Sequence, residues 1–221
     1  MSAEPCLGCG SPLDVAYTAH DGDGLTMPSP VHGPTLDVTL GEGDTPSIQL
    51  RTLYARLPKL YAKLEFLNPT GSFKDRGTAT MLSVAAEHGV TELVEDSSGN
   101  AGASVSAYAA RAGIKSHIFV PAGAPEAKLR QIEAYGTEAQ PIEGPREAVT
   151  EAAIAYAKQH GLVYASHMLS PYFAEGTKAF AYEVAQQFSG SMPGQVVFPV
   201  GNGSLLIGAY NGFRELKASG Q

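Results

Sequence analysis

The chain has 221 residues, of which 43% are hydrophobic, and this is enough to bury a core in one large domain or two small ones. Fifteen basic residues against 22 acidic ones give a formal net charge of -7, which repels nucleic-acid backbones and anionic membrane surfaces. This balance favours small molecules or other proteins as partners, and excludes nucleic acid and membrane.

The first 45 residues are predicted to form an irregular N-terminal arm. From residue 10 they are rich in Gly, Pro, Asp and Ser and show little sustained periodicity. The chain begins without a basic region followed by an apolar stretch, and none of its apolar runs is long enough to cross a bilayer, so we expect a cytoplasmic protein. Cys6 and Cys9, the only cysteines, form a CxxC that is typical of zinc knuckles and redox pairs rather than of disulfide frameworks.

From about residue 46 onward, short apolar runs alternate with longer amphipathic stretches. Pro125 and Gly136 mark the ends of one predicted helix, and Pro145 and Gly161 mark the ends of another. Strands that alternate with helices predict βαβ units and a mainly parallel sheet covered on both faces, so the predicted fold class is α/β. The predicted strands are 60–66, 92–95, 116–120, 137–142, 162–166 and 195–200.

Three loops of this pattern are rich in glycine or small polar residues. They are NPTGSFKDRG at 68–77, DSSGNAG at 96–102 and GNGS at 201–204, and each is predicted to connect a strand to a helix. Ligands of parallel sheets bind beyond the carboxyl ends of the strands, where such loops converge. We therefore expect the functional site at these three loops.

The first loop places a lysine at the start of a helix. Residues 68–71 predict a turn and Ser72 is the predicted N-cap, so Lys74 falls in the first helical turn. The helix dipole disfavours a cation there, and a lysine that loses its proton readily can attack an aldehyde to form an imine. The alternative is a solvated surface lysine paired with Asp75, and position alone favours that alternative.

The last loop has the layout of an anion site. The apolar run QVVFPV precedes 201–204, and the helical run LLIGAYNGFRELK follows. Glycines let the backbone approach an anion closely, and the first amides of the helix point towards it. The spacing is neither that of a Walker A loop nor that of the dinucleotide fingerprint. A plain turn between a strand and a helix is the alternative.

Taken together, the three loops resemble the pyridoxal-phosphate-dependent family of the tryptophan-synthase-β type, and within it most closely the threonine synthases. The resemblance includes GEGDTPSIQL before the lysine loop and SPYFAEGTKAFAYEV before the glycine loop, so it extends from about residue 41 to the end. It implies a two-lobed fold with a small α/β lobe over 78–168. The large, cofactor-binding lobe would consist of 46–77 and 169–221, with the cofactor in the cleft between the lobes.

The resemblance also implies roles for single residues. Lys74 corresponds to the lysine that forms a Schiff base with pyridoxal 5'-phosphate and moves protons at the α and β carbons of the substrate. Asn100 corresponds to the residue that hydrogen-bonds the cofactor ring. The turn expected to receive the substrate carboxylate contains Ser97, Ser98, Asn100 and Ala101. The residues expected to bind the cofactor phosphate are Gly201, Asn202, Gly203, Ser204 and Leu205.

The implied activity is that of a pyridoxal-phosphate-dependent lyase, most closely a threonine synthase that converts O-phosphohomoserine and water into threonine and phosphate. Other enzymes on the same scaffold are alternatives, namely serine or threonine ammonia-lyases and cysteine-synthase-like enzymes. A truncated chain that binds the cofactor without catalysis is a further alternative. The identity of the reaction products distinguishes these enzymes from one another. A protein that stays colourless with added cofactor would support the alternative of a non-catalytic chain.

Three features depart from the family or lie outside its site. Relatives continue beyond the helix that follows the glycine loop, so we expect an incomplete large lobe whose apolar faces bind a second copy or a partner chain. Cys6 and Cys9 resemble half of a zinc ribbon without a second ligand pair, so we predict a metal-free remnant. Glu175 and Lys178 are predicted to be a solvated pair on a helix face.

Overall fold

The structure is a computed structural model that describes residues 13–17, 26–31, 38–53, 56–189 and 192–220. Cys6 and Cys9, and with them the predicted zinc-ribbon remnant, lie outside these ranges. Within these ranges, no three His, Cys, Asp or Glu side chains form a group that could hold a metal ion. None of the described helices is long and apolar enough to cross a membrane.

The described strands form two sheets. Strands β1 (Ser47–Gln49) and β2 (Tyr61–Lys63) pair antiparallel. The larger sheet has four parallel strands: β3 (Glu92–Glu95), β4 (Lys115–Pro121), β5 (Ala139–Ile142) and β6 (Val163–Tyr164). Their order is β5-β4-β3-β6. The four parallel strands were predicted to within a few residues, and all of them lie in the predicted small lobe. Strand β1 was not predicted. The boundaries of the two lobes stay a prediction.

The described residues contain seven α-helices. Gly136 has a φ of +85° just beyond α3, and Gly161 ends α4 in the left-handed region, as the sequence predicted for both helix ends. The helices are α1 (Lys74–Glu87), α2 (Asn100–Ala112), α3 (Glu126–Ala134), α4 (Arg146–His160), α5 (Pro171–Thr177), α6 (Ala179–Gln187) and α7 (Ser204–Ala218).

Alternate residues of the parallel strands face opposite layers of helices. Leu93 and Ile118 are fully buried in a core that α1, α2 and α5 also contribute to. Val94 and Phe119 face the other way and pack against α4. Successive side chains of a strand point to opposite faces, so continuous apolar strands need helices on both sides. The α/β fold class is therefore confirmed.

The prediction of a strand at 195–200 is wrong for the part of the chain that the structure describes. This segment pairs with no described strand, although Phe198 packs on Phe180 with ring centroids 5.2 Å apart. Val197 is 91% exposed and Val200 is 59% exposed. An apolar run becomes a strand only when a neighbouring strand supplies the hydrogen-bond ladder. The exposed apolar side chains of this segment agree with the expected apolar surface. The binding of a second copy or a partner chain to this surface stays a prediction.

The prediction that Glu175 and Lys178 form a solvated pair is also wrong. Glu175 is 1% exposed and Lys178 is 4% exposed, and Lys178 Nζ lies 2.6 Å from Glu175 Oε1. Lys178 Nζ also donates to Glu215 of α7, and the Tyr17 hydroxyl donates to Glu175 Oε2 at 2.6 Å. The spacing of three residues does make a pair, but the packing of α7 against this face buries it.

Candidate active site

The turn before Lys74 forms as predicted. The Gly71 backbone N–H donates to the Asn68 carbonyl at 2.8 Å, and Gly71 has a φ of +88°. Helix α1 begins at Lys74 with Phe73 at the N-cap position, so the prediction of Ser72 as N-cap is one residue early. The Ser72 hydroxyl nevertheless accepts a hydrogen bond from the Lys74 backbone N–H at 3.3 Å. It therefore satisfies one of the unpaired amides at the start of the helix.

The side chain of Lys74 is buried, with 9% of the residue exposed. Its Nζ lies 4.6 Å from the ring centroid of Phe73, 5.6 Å from that of Phe173 and 3.4 Å from the Ser204 hydroxyl. Burial lowers the pKa of Lys74 to about 8, and the charge of Glu95 opposes this shift. Burial is thus the main reason that a neutral amine forms near this pH.

Lys178 is the other buried lysine of the described chain, and its surroundings have the opposite effect. Burial acts to lower the pKa of Lys178, but hydrogen bonds and charges from Glu175 and Glu215 raise it above its usual value. A lysine between two carboxylates stays an ammonium ion, which has no lone pair with which to attack an aldehyde. Of the two buried lysines, Lys74 is therefore the one suited to nucleophilic chemistry.

Asp75 is a buried connector and not a surface partner of Lys74. It is 0% exposed and accepts hydrogen bonds from the Thr70 N–H at 2.7 Å and from the Ser104 hydroxyl at 2.7 Å. Burial raises the pKa of Asp75, and these hydrogen bonds oppose that shift. Because Ser104 belongs to α2, Asp75 fixes the lysine loop against the helix that begins at Asn100.

The second loop leads from β3 into α2. Asn100 is exposed, and its Oδ1 accepts a hydrogen bond from Lys128 Nζ of α3 at 2.7 Å. The sequence did not indicate that Lys128 lies beside Asn100, because a lysine on an amphipathic helix is not part of any recognisable motif. Ala101 is buried, and the Ser97 hydroxyl accepts from the Gly99 N–H at 3.3 Å. The structure thus places four predicted residues at the junction of β3 and α2: Ser97, Ser98, Asn100 and Ala101.

Gly102 permits a close approach between α2 and this loop. A Cβ atom on Gly102 would lie 1.8 Å from the Ser97 carbonyl oxygen, and a backbone atom cannot rotate away. We expect Gly102→Ala to destabilise the chain by about 1–3 kcal/mol and to displace the loop at 97–99. Denaturant unfolding measures the first effect, and hydrogen exchange of the loop amides measures the second. Gly123→Ala, which has open space around the added methyl group, should change stability by less than about 0.5 kcal/mol. Equal stability of the two variants would contradict the tight contact.

The third loop, at 201–204, leads into α7. Gly203 is the N-cap with a φ of +87°, and Asn202 Oδ1 accepts hydrogen bonds from the Ser204 N–H at 3.2 Å and the Ser204 hydroxyl at 3.1 Å. Leu205 is buried in the first helical turn. The contact between Ser204 and Lys74 brings the first and third loops together, whereas Asn100 of the second loop contacts α3.

Comparisons with known proteins show what this chain is similar to. A family model described as pyridoxal-phosphate dependent enzyme matches residues 38–221. The threonine synthase of Bacillus sp. (strain ULM1) is 39% identical over 188 residues, which are 84% of this chain and 53% of that protein. The threonine synthase of Methanocaldococcus jannaschii is 35% identical over 194 residues, which are 86% of this chain and 48% of that protein. The chain spans about half the length of these relatives.

Solved structures of similar fold include two racemases. A pyridoxal 5'-phosphate-dependent aspartate racemase has a TM-score of 0.73 and 28% identity, with 79% of this chain and 55% of that chain covered. Maize serine racemase also has a TM-score of 0.73, with 25% identity and coverage of 79% and 53%. A threonine deaminase from Solanum lycopersicum has a TM-score of 0.70 at 22% identity, with coverage of 79% and 48%, which supports the fold alone.

Proposed function

Because this chain belongs to the family of pyridoxal-phosphate-dependent enzymes, we propose that it acts as a threonine synthase, converting O-phosphohomoserine and water into threonine and phosphate. The observation that carries the proposal is the buried Lys74 amine, which has a pKa of about 8 and lies 3.4 Å from the Ser204 hydroxyl of the glycine loop. Similarity to two threonine synthases at 39% and 35% identity supports this reaction among those of the family.

The side chains and backbone of the site fit pyridoxal phosphate chemically. Lys74 supplies an amine that becomes neutral near pH 8 and can bond to an aldehyde. The loop at 201–204 and the N-terminus of α7 supply backbone amides and a favourable dipole for a phosphate group. Asn100 supplies an exposed amide that can hydrogen-bond a ring oxygen. When bound, the cofactor supplies an electron sink for bond breaking at the substrate carbons.

The chain itself supplies proton transfer and orientation. The pKa of Lys74 lies close to neutral pH, so the amine can both accept a proton from the substrate and return one. Ser97, Ser98 and Ala101 lie where α2 begins, and unpaired amides at a helix start bind carboxylates. A carboxylate held there fixes the α carbon of the substrate relative to Lys74, which is the role of positioning in catalysis.

The position of Lys128 favours a substrate that carries a phosphate group. Its ammonium group lies 2.7 Å from Asn100 Oδ1, beside the turn assigned to the substrate carboxylate. A lysine ammonium is a compact charge that binds phosphate oxygens well. We assign the γ-phosphate of O-phosphohomoserine to Lys128, because an uncharged substrate side chain would gain nothing from a cation at this position.

The products of the reaction test the proposal. With O-phosphohomoserine as substrate, we expect inorganic phosphate and threonine in equal amounts, measured by a phosphate assay and amino-acid chromatography. A keto acid with ammonia would instead identify an ammonia-lyase, and a cofactor-binding chain with neither set of products would be the non-catalytic alternative. Either result would contradict the threonine synthase proposal.

A Lys128 variant in the same assay measures how much this cation contributes to substrate binding. Lys128→Met removes the cation, and since a hydrogen bond to a charged group is worth about 1.5–3 kcal/mol, we expect KM to rise about 10- to 100-fold. Lys115→Met is the matched control, because the Lys115 side chain is 66% exposed and pairs with Glu92. An unchanged KM in Lys128→Met would contradict the role assigned to Lys128.

A further inference from the structure

A buried carboxylate lies next to the lysine site and has no role in the function proposed above. Glu95, the last residue of β3, is 0% exposed, and its Oε1 is 2.9 Å from His167 Nδ1. Its Oε2 is also buried and has no hydrogen-bond partner among the residues that the structure describes. Because nearly all buried polar atoms in proteins are paired, this oxygen requires an explanation.

The ring of Phe173 connects this pair with Lys74. The ring centroids of His167 and Phe173 are 5.9 Å apart in an edge contact, and Lys74 Nζ lies 5.6 Å from the same Phe173 centroid. His167 is 9% exposed. Charges in such buried surroundings interact more strongly than charges in water. The charge of Glu95 accordingly raises the pKa of Lys74, against the larger lowering effect of burial.

Other titratable groups near Glu95 do not neutralise its charge. Burial and the charges of Asp96 and Glu95 raise the pKa of Tyr164, so the Tyr164 hydroxyl stays neutral. Asp96 carries the same sign as Glu95 and is paired with Arg146 at 2.8 Å. His167 contacts the carboxylate directly, and Lys74 is the described lysine whose pKa the charge of Glu95 raises.

We propose that Glu95, held in place by His167, is a positioning residue that sets the protonation of the Lys74 amine. The inference rests on the proposed function only in that Lys74 is the residue that reacts with the cofactor. The negative charge of Glu95 favours the ammonium form of Lys74, whereas burial beside the rings of Phe73 and Phe173 favours the neutral amine. The balance of the two leaves both forms of Lys74 populated near neutral pH, as a residue that must accept and donate protons requires.

Acetylation of Lys74 tests this inference without any assay of activity, because only a neutral amine reacts with acetic anhydride. The extent of reaction at Lys74 is measured by mass spectrometry across a pH series, with the chain freed of cofactor. Glu95→Gln removes the charge but retains the shape, so the midpoint of the pH series should fall by about one pH unit. Glu95→Asp retains the charge, so its midpoint should stay closer to that of the unsubstituted chain.

Glu175→Gln is the matched control for these variants. Glu175 is as buried as Glu95 but pairs with Lys178, so its replacement should leave the Lys74 midpoint unchanged. Circular dichroism identifies any variant that fails to fold. If Glu95→Gln does not fold, His167→Asn replaces it: this variant shortens the side chain that holds the Glu95 carboxylate in place, and the midpoint should again fall.

An unchanged midpoint in a folded Glu95→Gln or His167→Asn variant overturns the inference. The proposed function is tested separately in the same variants, by reducing the bound cofactor with borohydride at a pH above both midpoints. Attachment to Lys74 with no shift of the midpoint would refute only the role of Glu95. Failure of attachment in the unsubstituted chain would refute the function itself.

Discussion

Replacement of Lys74 by alanine is expected to abolish covalent attachment of pyridoxal phosphate and to lower the rate of any amino-acid reaction by at least about 10²–10⁴-fold. The loss of attachment should be complete, because no other described lysine combines burial with a lowered pKa. The loss of rate follows because the same amine is proposed to transfer protons, and an acid–base group contributes a factor of this size.

The measurement is mass spectrometry after borohydride reduction, with absorption spectra of the bound cofactor recorded beforehand. Lys74→Arg is the first control, because it retains a cation of similar length that cannot bond to the aldehyde. Lys178→Met is the second, because Lys178 is buried but held as an ammonium by Glu175 and Glu215. An adduct on Lys178, or on any residue other than Lys74, would refute the assignment.

Attachment to Lys74 should also depend on pH in a defined direction. The pKa of Lys74 is lowered by burial to about 8, so the neutral, reactive amine becomes the main form above that pH. The initial rate of attachment should therefore rise with pH and level off above about pH 8–9, well below the range expected for an exposed lysine. A rate that continues to rise to pH 10 would indicate a solvated lysine.

Replacement of Arg76 by methionine is expected to destabilise the chain by about 3–5 kcal/mol, the largest stability effect that we predict. Arg76 is 2% exposed and donates to Glu65 Oε2 at 2.7 Å and to Glu183 Oε2 at 2.8 Å. It also donates to the Thr45 hydroxyl at 3.1 Å. In the methionine variant Glu65 would lose its ion-pair partner, and a desolvated charge without a partner is costly, whereas Glu183 would keep Lys63 Nζ at 2.8 Å.

Urea unfolding followed by circular dichroism measures this loss, and Arg130→Met is the matched control. Arg130 pairs with Glu126 four residues earlier on α3, but both side chains are more than 70% exposed, so that variant should lose no more than about 0.5 kcal/mol. Similar losses in the two arginine variants would show that the Arg76 network contributes little.

The sequence by itself determined the fold class, the family and the loop that contains Lys74. The apolar residues of strands and of helices recur with different periods, so the alternation of the two patterns predicts a parallel sheet. Pro before α3 and α4 marks the helix starts through its fixed φ, and Gly after them marks the helix ends through its positive φ. Such signals are local, since each depends on residues a few positions apart. The three glycine-rich loops were recognised for the same reason, although the segment 195–200 has no strand partner among the residues that the structure describes.

Only the tertiary structure decided which charged side chains are buried and what they contact. Glu175 and Lys178 have the spacing of a solvated helical pair, yet both are buried and Lys178 contacts Glu215 of α7. Glu95 is only the last residue of a predicted strand in the sequence, and the structure shows that it is buried against His167. Burial and electrostatic environment depend on segments that are far apart in the chain. For that reason the low pKa of Lys74 follows from the packing of α1 against α5 and the glycine loop, and no local pattern of residues predicts its cause.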